Sequence, residues 1–248
     1  MDPVVPLQHI PSPVTPLDGE ELFTGAGGAT VLDFWRYAFP DLKTNTTRGL
    51  LAEFLVHRAV GALQRNQEWE SFDVLTADGL RIEVKSSAYL QAWSQREVTK
   101  IVFDRLRTRT WSPQTGDAAE PSFNADVYVF AVHTATSHED YDPLDVGQWQ
   151  FYVVPGPVIE AKGTKSLALN SVRALAGDFV PYADLAARIR AADPRAARAG
   201  ARGLGVAEPR GCAVVSAGWG SVVPPVGVKG GEGASGAPRA PSRTRAEE

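Results

Sequence analysis

Thiols, lysines and long apolar runs are scarce in this chain of 248 residues. One cysteine, Cys212, rules out an intramolecular disulfide framework and a thiol cluster for zinc, and it suits a reducing cytoplasm. No apolar run approaches the roughly 18 residues of a membrane span, and the opening "MDPVVPLQHIPSPVTPLDGEE" lacks the basic start and apolar stretch of a secretory signal. The expectation is a soluble, cytoplasmic protein. Only six lysines stand beside nineteen arginines. With many Ala, Gly and Pro, that bias points to a high-GC bacterial genome and makes each lysine informative. A basic excess is also missing: residues 1–190 hold 17 basic against 24 acidic residues, a net of −7. This excludes a general DNA-coating protein but not an enzyme with a carboxylate-lined metal site that touches phosphates locally.

What the chain does have is a core's worth of apolar residues, 44% of the total. Five prolines in the first sixteen residues mark an extended N-terminal segment, taken as residues 1–27. A globular domain is expected over residues 28–190, followed by a low-complexity tail, residues 191–248, of disordered composition. "ATVLDFWRYAF" has helical spacing, with Leu32, Trp35 and Phe39 near one face, and Pro40 ends it. "NTTRGLLAEFLVHRAVGAL" is the strongest helical pattern: Thr46 or Thr47 is the expected N-cap, and Leu51, Phe54, Leu55 and Leu63 recur at helical intervals. "WESFDVLT" and "LRIEVKSS" read as a β-hairpin around the Asp78-Gly79 turn. "KIVFDRLRTRTW" reads as a strand or a strand plus turn, "ADVYVFAVH" as a buried strand and "QWQFYVVP" as another. A short strand at "KSLALN" and a helix around "YADLAARIR" complete the domain. Residues 112–124 and 134–147 are long loops.

The chemistry concentrates in the hairpin. Alternation sends Ile82 and Val84 to one face and sets Glu83 beside Lys85 on the other. Asp73 precedes the turn by about as many residues as Glu83 follows it, so the two carboxylates can lie on neighbouring strands. Two carboxylates that close repel unless a cation joins them, and a hard divalent ion such as Mg²⁺ (or Mn²⁺) is the natural one.

In the order Glu53 on a helix, Asp73 on one strand, then Glu83, Val84 and Lys85 on the next, the chain resembles the restriction-endonuclease-like superfamily, the PD-(D/E)XK nucleases. The likeness covers roughly residues 30–155 and concentrates in 46–91; Phe72 stands where the motif has proline. The resemblance implies an α/β fold with a restriction-endonuclease-like core, a central mixed β-sheet flanked by helices. It also implies a Mg²⁺-dependent phosphodiesterase giving 5′-phosphate products. Asp73 and Glu83 would bind metal, Val84 would lend its carbonyl, Lys85 would orient the attacking water, and Glu53 would reach the metal directly or through water.

Chance alone supplies about 0.7 acidic-x-Lys tripeptides in such a composition. The chain has three, but Asp41-Leu42-Lys43 lies between helices and Glu160-Ala161-Lys162 has no acidic partner on a hairpin. The competing account of Glu83 and Lys85 is a solvated strand face, where such a pair contributes little. Glu53, amid apolar neighbours on a half-buried helix, needs a partner and tilts the balance towards a site. His57 shares its face as a ligand, a base or a boundary residue. Gln91 follows the strand among Ser86, Ser87, Tyr89 and Trp93, placed to hold a phosphate or to order the helix, with ordinary strand-end chemistry as the competing account of all five. Arg96, Lys100, Arg105, Arg107 and Arg109 are nucleic-acid contacts if the last three align on a strand face, or else the charges of a protected edge. His133 and His138 flank an acidic loop that resembles a metal cluster or is solvated. With no helix-turn-helix, zinc module or separate recognition domain, a protein partner supplying specificity or a homodimer has room beside the nucleic acid. The rival to the nuclease is a catalytically inactive nuclease-like binding or scaffold module.

Overall fold

The structure, a computed structural model, describes residues 15–62, 70–112, 116–118 and 120–196. The expected N-terminal segment up to residue 14, the helical position Leu63 and the tail from residue 197 lie outside the described residues. Strands β1 (Val74–Leu75), β2 (Arg81–Ala88), β6 (Val127–His133) and β7 (Trp149–Pro155) form one sheet in the order β1-β2-β6-β7. β2 and β6 run parallel, while β1 with β2 and β6 with β7 are antiparallel, so the sheet is mixed. Two small pairs stand apart, β3 (Val102–Phe103) with β8 (Leu167–Ala168) and β4 (Trp111–Ser112) with β5 (Gly116–Asp117). The helices are α1 (Val31–Ala38), α2 (Asn45–Val60), α3 (Gly156–Lys162), α4 (Leu169–Ala176) and α5 (Tyr182–Ala191). None of them is long and apolar enough to cross a membrane.

Both faces of the sheet are covered. Ile82, Val84, Val127, Val129, Phe151 and Val153 pack with Leu55 and Val56 of α2 and Leu185 and Ile189 of α5. On the reverse, Tyr128, Phe130, Val132, Tyr152 and Val154 pack with Phe103, Leu106, Ile159 of α3 and Val172 of α4. That is why every residue of β6 is buried and why its sequence is a continuous apolar run rather than an alternation.

The expected strands and the helices α1, α2 and α5 are present, with three differences. Thr44, not Thr46 or Thr47, caps α2, because the Asp41 carboxylate takes the backbone N–H of Lys43 and of Thr44 and lets the helix begin earlier. The predicted apolar face of α1 is largely at the surface: Leu32 and Phe39 are exposed, and the helix leans on the segment before it, with Phe23 edge-on to Phe34 at 6.4 Å. Helices α3 and α4 were not expected. Pro155 reads as the end of a strand, yet proline in the first turn of a helix costs no hydrogen bond, and α3 starts at Gly156-Pro157.

The register of the central parallel pair is fixed at its start. The Asp126 carboxylate accepts from the Arg81 backbone N–H at 3.0 Å and from both sides of the Arg81 guanidinium, while the Asp126 N–H returns a bond to the Arg81 carbonyl. Near the end of the described residues Arg195 donates to the carbonyl and carboxylate of Asp78, tying residues beyond α5 to the β1–β2 turn. Gly156 closes the corner between β7 and α3: its N–H donates to the Asp126 carbonyl at 2.7 Å, and a Cβ there would stand 2.3 Å from the Ala125 carbonyl oxygen. Because that oxygen belongs to the backbone, it cannot yield cheaply. We expect Gly156→Ala to lower stability by roughly 2 to 3 kcal/mol, read as a lower urea midpoint at unchanged slope; an unchanged midpoint would contradict the close packing.

Candidate active site

The hairpin that carries the acidic residues is set by its turn. Gly79 takes φ +81, which favours glycine, and the Thr76 hydroxyl donates to the Asp78 carboxylate and accepts from the Leu80 N–H at 2.9 Å. Val74 then faces Ile82, which puts Asp73 across from Glu83. β1 reaches only this far, and beyond Ile82 no described strand pairs with that edge of β2.

Asp73 fills the first gap. Its Oδ2 accepts from the Val84 N–H at 2.7 Å, in the place of a neighbouring strand. The N–H and C=O of one strand residue project to the same edge, so the Val84 carbonyl is turned towards that gap as well. Glu83 is only 5% exposed and lies 2.6 Å from the Lys85 Nζ through its Oε1. The competing picture of a solvated strand face therefore does not hold, because the face that carries Glu83 and Lys85 is the one covered by the second helical layer.

Burial and the nearby Asp73 carboxylate push the Glu83 carboxyl up to about 7, against the opposing pull of Lys85. Burial also raises Asp73, offset by the Val84 N–H and by Lys85. Two carboxylates that resist ionising side by side, with a carbonyl turned to the same gap, are a donor set suited to a hard cation. Glu53 stands on the other side, on α2. With Asp73 it lines a hollow of about 400 Å³ that also includes Leu50, Phe54, His57 and Val74. Among the described residues no three His, Cys, Asp or Glu side chains gather as one ligand set, so Glu53 does not join Asp73 and Glu83 around a common centre.

The expected phosphate contacts divide. Gln91 is buried, its Nε2 donating to the Ala88 carbonyl at 2.9 Å, and it lines a second hollow of about 630 Å³ with Ser86, Ser87, Lys100 and Arg105. Arg96 and Arg109 are exposed, Arg96 in the loop of residues 93–100. Arg105, Arg107 and Arg109 do not share a strand face, since β3 ends at Phe103 and Arg105 has φ +53. Arg107 donates to the Gly163 carbonyl and lies over the Phe123 ring, which ties it to the fold. His133 is fully buried, stacked on Tyr141 at 4.3 Å and edge-on to Trp149, and burial lowers its pKa. It is a core residue there, and the acidic loop beside it forms no metal cluster among the described residues.

Sequence reading missed Arg48. This residue is 4% exposed in the first turns of α2, donating to the Lys43 carbonyl, the Asn45 side chain and Gln91, and it lines the second hollow. The available signal was an arginine five residues before Glu53 on a helix already expected to be half buried.

The raised carboxyl has a consequence for stability. In metal-free protein folded Glu83 keeps its proton up to about pH 7, whereas an unfolded glutamate releases it near 4.5. Between these values the folded state binds more protons, so stability falls as pH rises from 4.5 to 7 and the deficit stays constant above. We expect Glu83→Gln to remove this slope and to be more stable than wild type at pH 8 by on the order of 2 kcal/mol, with little difference at pH 4.5. Urea melts across that range measure it, and parallel pH profiles for the two proteins would refute it.

A model of the bacteriophage T4 endonuclease IV family matches residues 38–171, more than half of the chain. Among curated proteins none matches significantly. The matched span runs from the end of α1 into α4 and contains Glu53, Asp73, Glu83, Lys85 and both hollows. The chain belongs to the bacteriophage T4 endonuclease IV family, a family of nucleases.

Proposed function

We propose that the chain is a metal-dependent endonuclease that cuts DNA with a restriction-endonuclease-like, PD-(D/E)XK core. The observation that carries this reading is Glu83: a buried carboxylate, opposed by Asp73, bonded to Lys85, at the strand edge where Val84 turns its carbonyl out. Asp73 and Glu83, with the Val84 carbonyl, would hold the ion, and Glu53, which lines the same hollow as Asp73, is left an outer role through water. When bound, a hard cation such as Mg²⁺ or Mn²⁺ supplies Lewis-acid stabilisation of the phosphate charge.

The chain's own residues do the rest. The Lys85 ammonium, fixed by its bond to Glu83, orients the attacking water and faces the negative charge that gathers on the phosphoryl oxygens. Water attacks phosphorus in line, the opposite P–O bond breaks, and the leaving oxygen takes a proton as a 5′-phosphate end forms. The hydrogen bond from Val84 holds Asp73 in place during this exchange. Cations beside the second hollow, Lys100 and Arg105, contact the DNA backbone with Gln91. Arg96 and Arg109 add outer charge. Sequence selection falls to a protein partner or to a second copy of the chain, in the cytoplasm that the single cysteine suits.

The test is cleavage of supercoiled plasmid, linear duplex and single-stranded DNA with Mg²⁺ or Mn²⁺. We expect wild type to cut, and Asp73→Ala, Glu83→Gln and Lys85→Ala each to lose at least roughly 100-fold in rate, the scale on which single electrostatic contacts to a transition state act. Pure wild-type protein that neither cuts nor binds metal would overturn the reading and leave a nuclease-like binding module.

A further inference from the structure

The second hollow contains a feature that the cutting chemistry does not use. Arg48 is buried with three hydrogen bonds to neutral acceptors, its Nε has no partner, and among the described residues no carboxylate pairs with it. A guanidinium held out of water without a counter-charge is costly, and such sites are kept where an anion visits. Three further observations point the same way. Asn45 and Thr46, in the first turn of the sixteen-residue α2, line the hollow, and the first N–H groups of a helix favour an anion. Lys100 and Arg105 add two cations against one carboxylate, Asp104, and Arg105 holds a left-handed φ of +53 that a side chain rarely adopts. Ser86 and Ser87 bring hydroxyls from β2, one and two residues past Lys85.

We propose that this Arg48 hollow is a dedicated phosphate subsite, taking one phosphate ester of the nucleic-acid strand beside the bond to be cut. The exposed Trp93 at its wall identifies the strand as the source, because an indole face stacks a base where a free phosphate has no use for one. Ser87 lies about 7 Å along the strand from Lys85, so the subsite adjoins the reacting centre without sharing its residues. The inference rests on the nuclease reading for the identity of the strand, but its test reads binding and not cutting.

Full-length protein in Ca²⁺ is titrated with a short single-stranded DNA in which each phosphate in turn is a neutral methylphosphonate, and with the same strand carrying or lacking a 5′-phosphate. We expect one substitution to weaken binding about tenfold, and Lys100→Ala/Arg105→Ala, both exposed positions, to be indifferent to that substitution while melting at the wild-type temperature. Sensitivity at an internal position identifies a diester, and sensitivity to the 5′-phosphate alone a strand end; either supports the subsite. Arg48→Gln should repeat the loss, and if it unfolds the exposed pair still decides. Equal losses at every position, a pair variant that keeps the single-position sensitivity, or inorganic phosphate binding as tightly as the strand would each overturn it. Binding that passes this test in a protein that does not cut would leave the subsite standing and remove the nuclease.

Discussion

Everything at this site depends on keeping the Glu83 carboxylate inside the protein. Its position between Asp73, which repels it, and Lys85, which holds it at 2.6 Å, depends on β2 being covered on both faces and, among the described strands, open along one edge beyond Ile82. A strand wet on one face would let the pair relax into solvent, where such a contact is worth little. A strand paired along both edges would spend the Val84 N–H on a ladder and leave Asp73 nothing to hold. The two-residue length of β1 thus keeps the gap: one more ladder pair would close it.

The fold supports that arrangement from a distance. Arg81 and Asp126 lock β2 to β6 just before their first paired residues, Ile82 and Val127, and in a sheet a slip of one residue would exchange Glu83 with Val84 between faces. Arg195 secures the turn that aligns Asp73 with Glu83. These contacts touch no reacting atom, yet each removes one way for the two carboxylates to separate.

How much of this could be read from the residues follows from the range of the interactions involved. The hairpin was legible because Asp78-Gly79 and the alternation are local signals, and so were the faces of Ile82, Val84, Glu83 and Lys85. The gathering of Asp73 with Glu83 followed from counting outward from the turn. Glu53 was legible as a helical acidic residue but not as belonging to the far side of the edge, because that depends on how α2 crosses the sheet. The alternation of Arg105, Arg107 and Arg109 suggested a strand that the left-handed φ at Arg105 interrupts, and no side-chain pattern announces such a conformation in an arginine. Arg48 was harder to read for a similar reason: one of its hydrogen-bond partners is Gln91, 43 positions later.

Charge differs between the two hollows, with the carboxylates of Glu53 and Asp73 in the lining of the first and the cations Arg48, Lys100 and Arg105 in that of the second. This reconciles a net charge of −7 over residues 1–190 with a polyanionic substrate. At physiological salt fields fade within about 8 Å, so the acidic bulk neither repels strongly nor attracts from afar. Affinity must then come from contacts made at short range, and those act best when they are fixed before the substrate arrives. Arg48, held by three hydrogen bonds and shielded from water, is fixed in that sense, whereas exposed arginines such as Arg96 are not. A chain with little long-range pull has reason to bury a cation at the one place where a phosphate must stop.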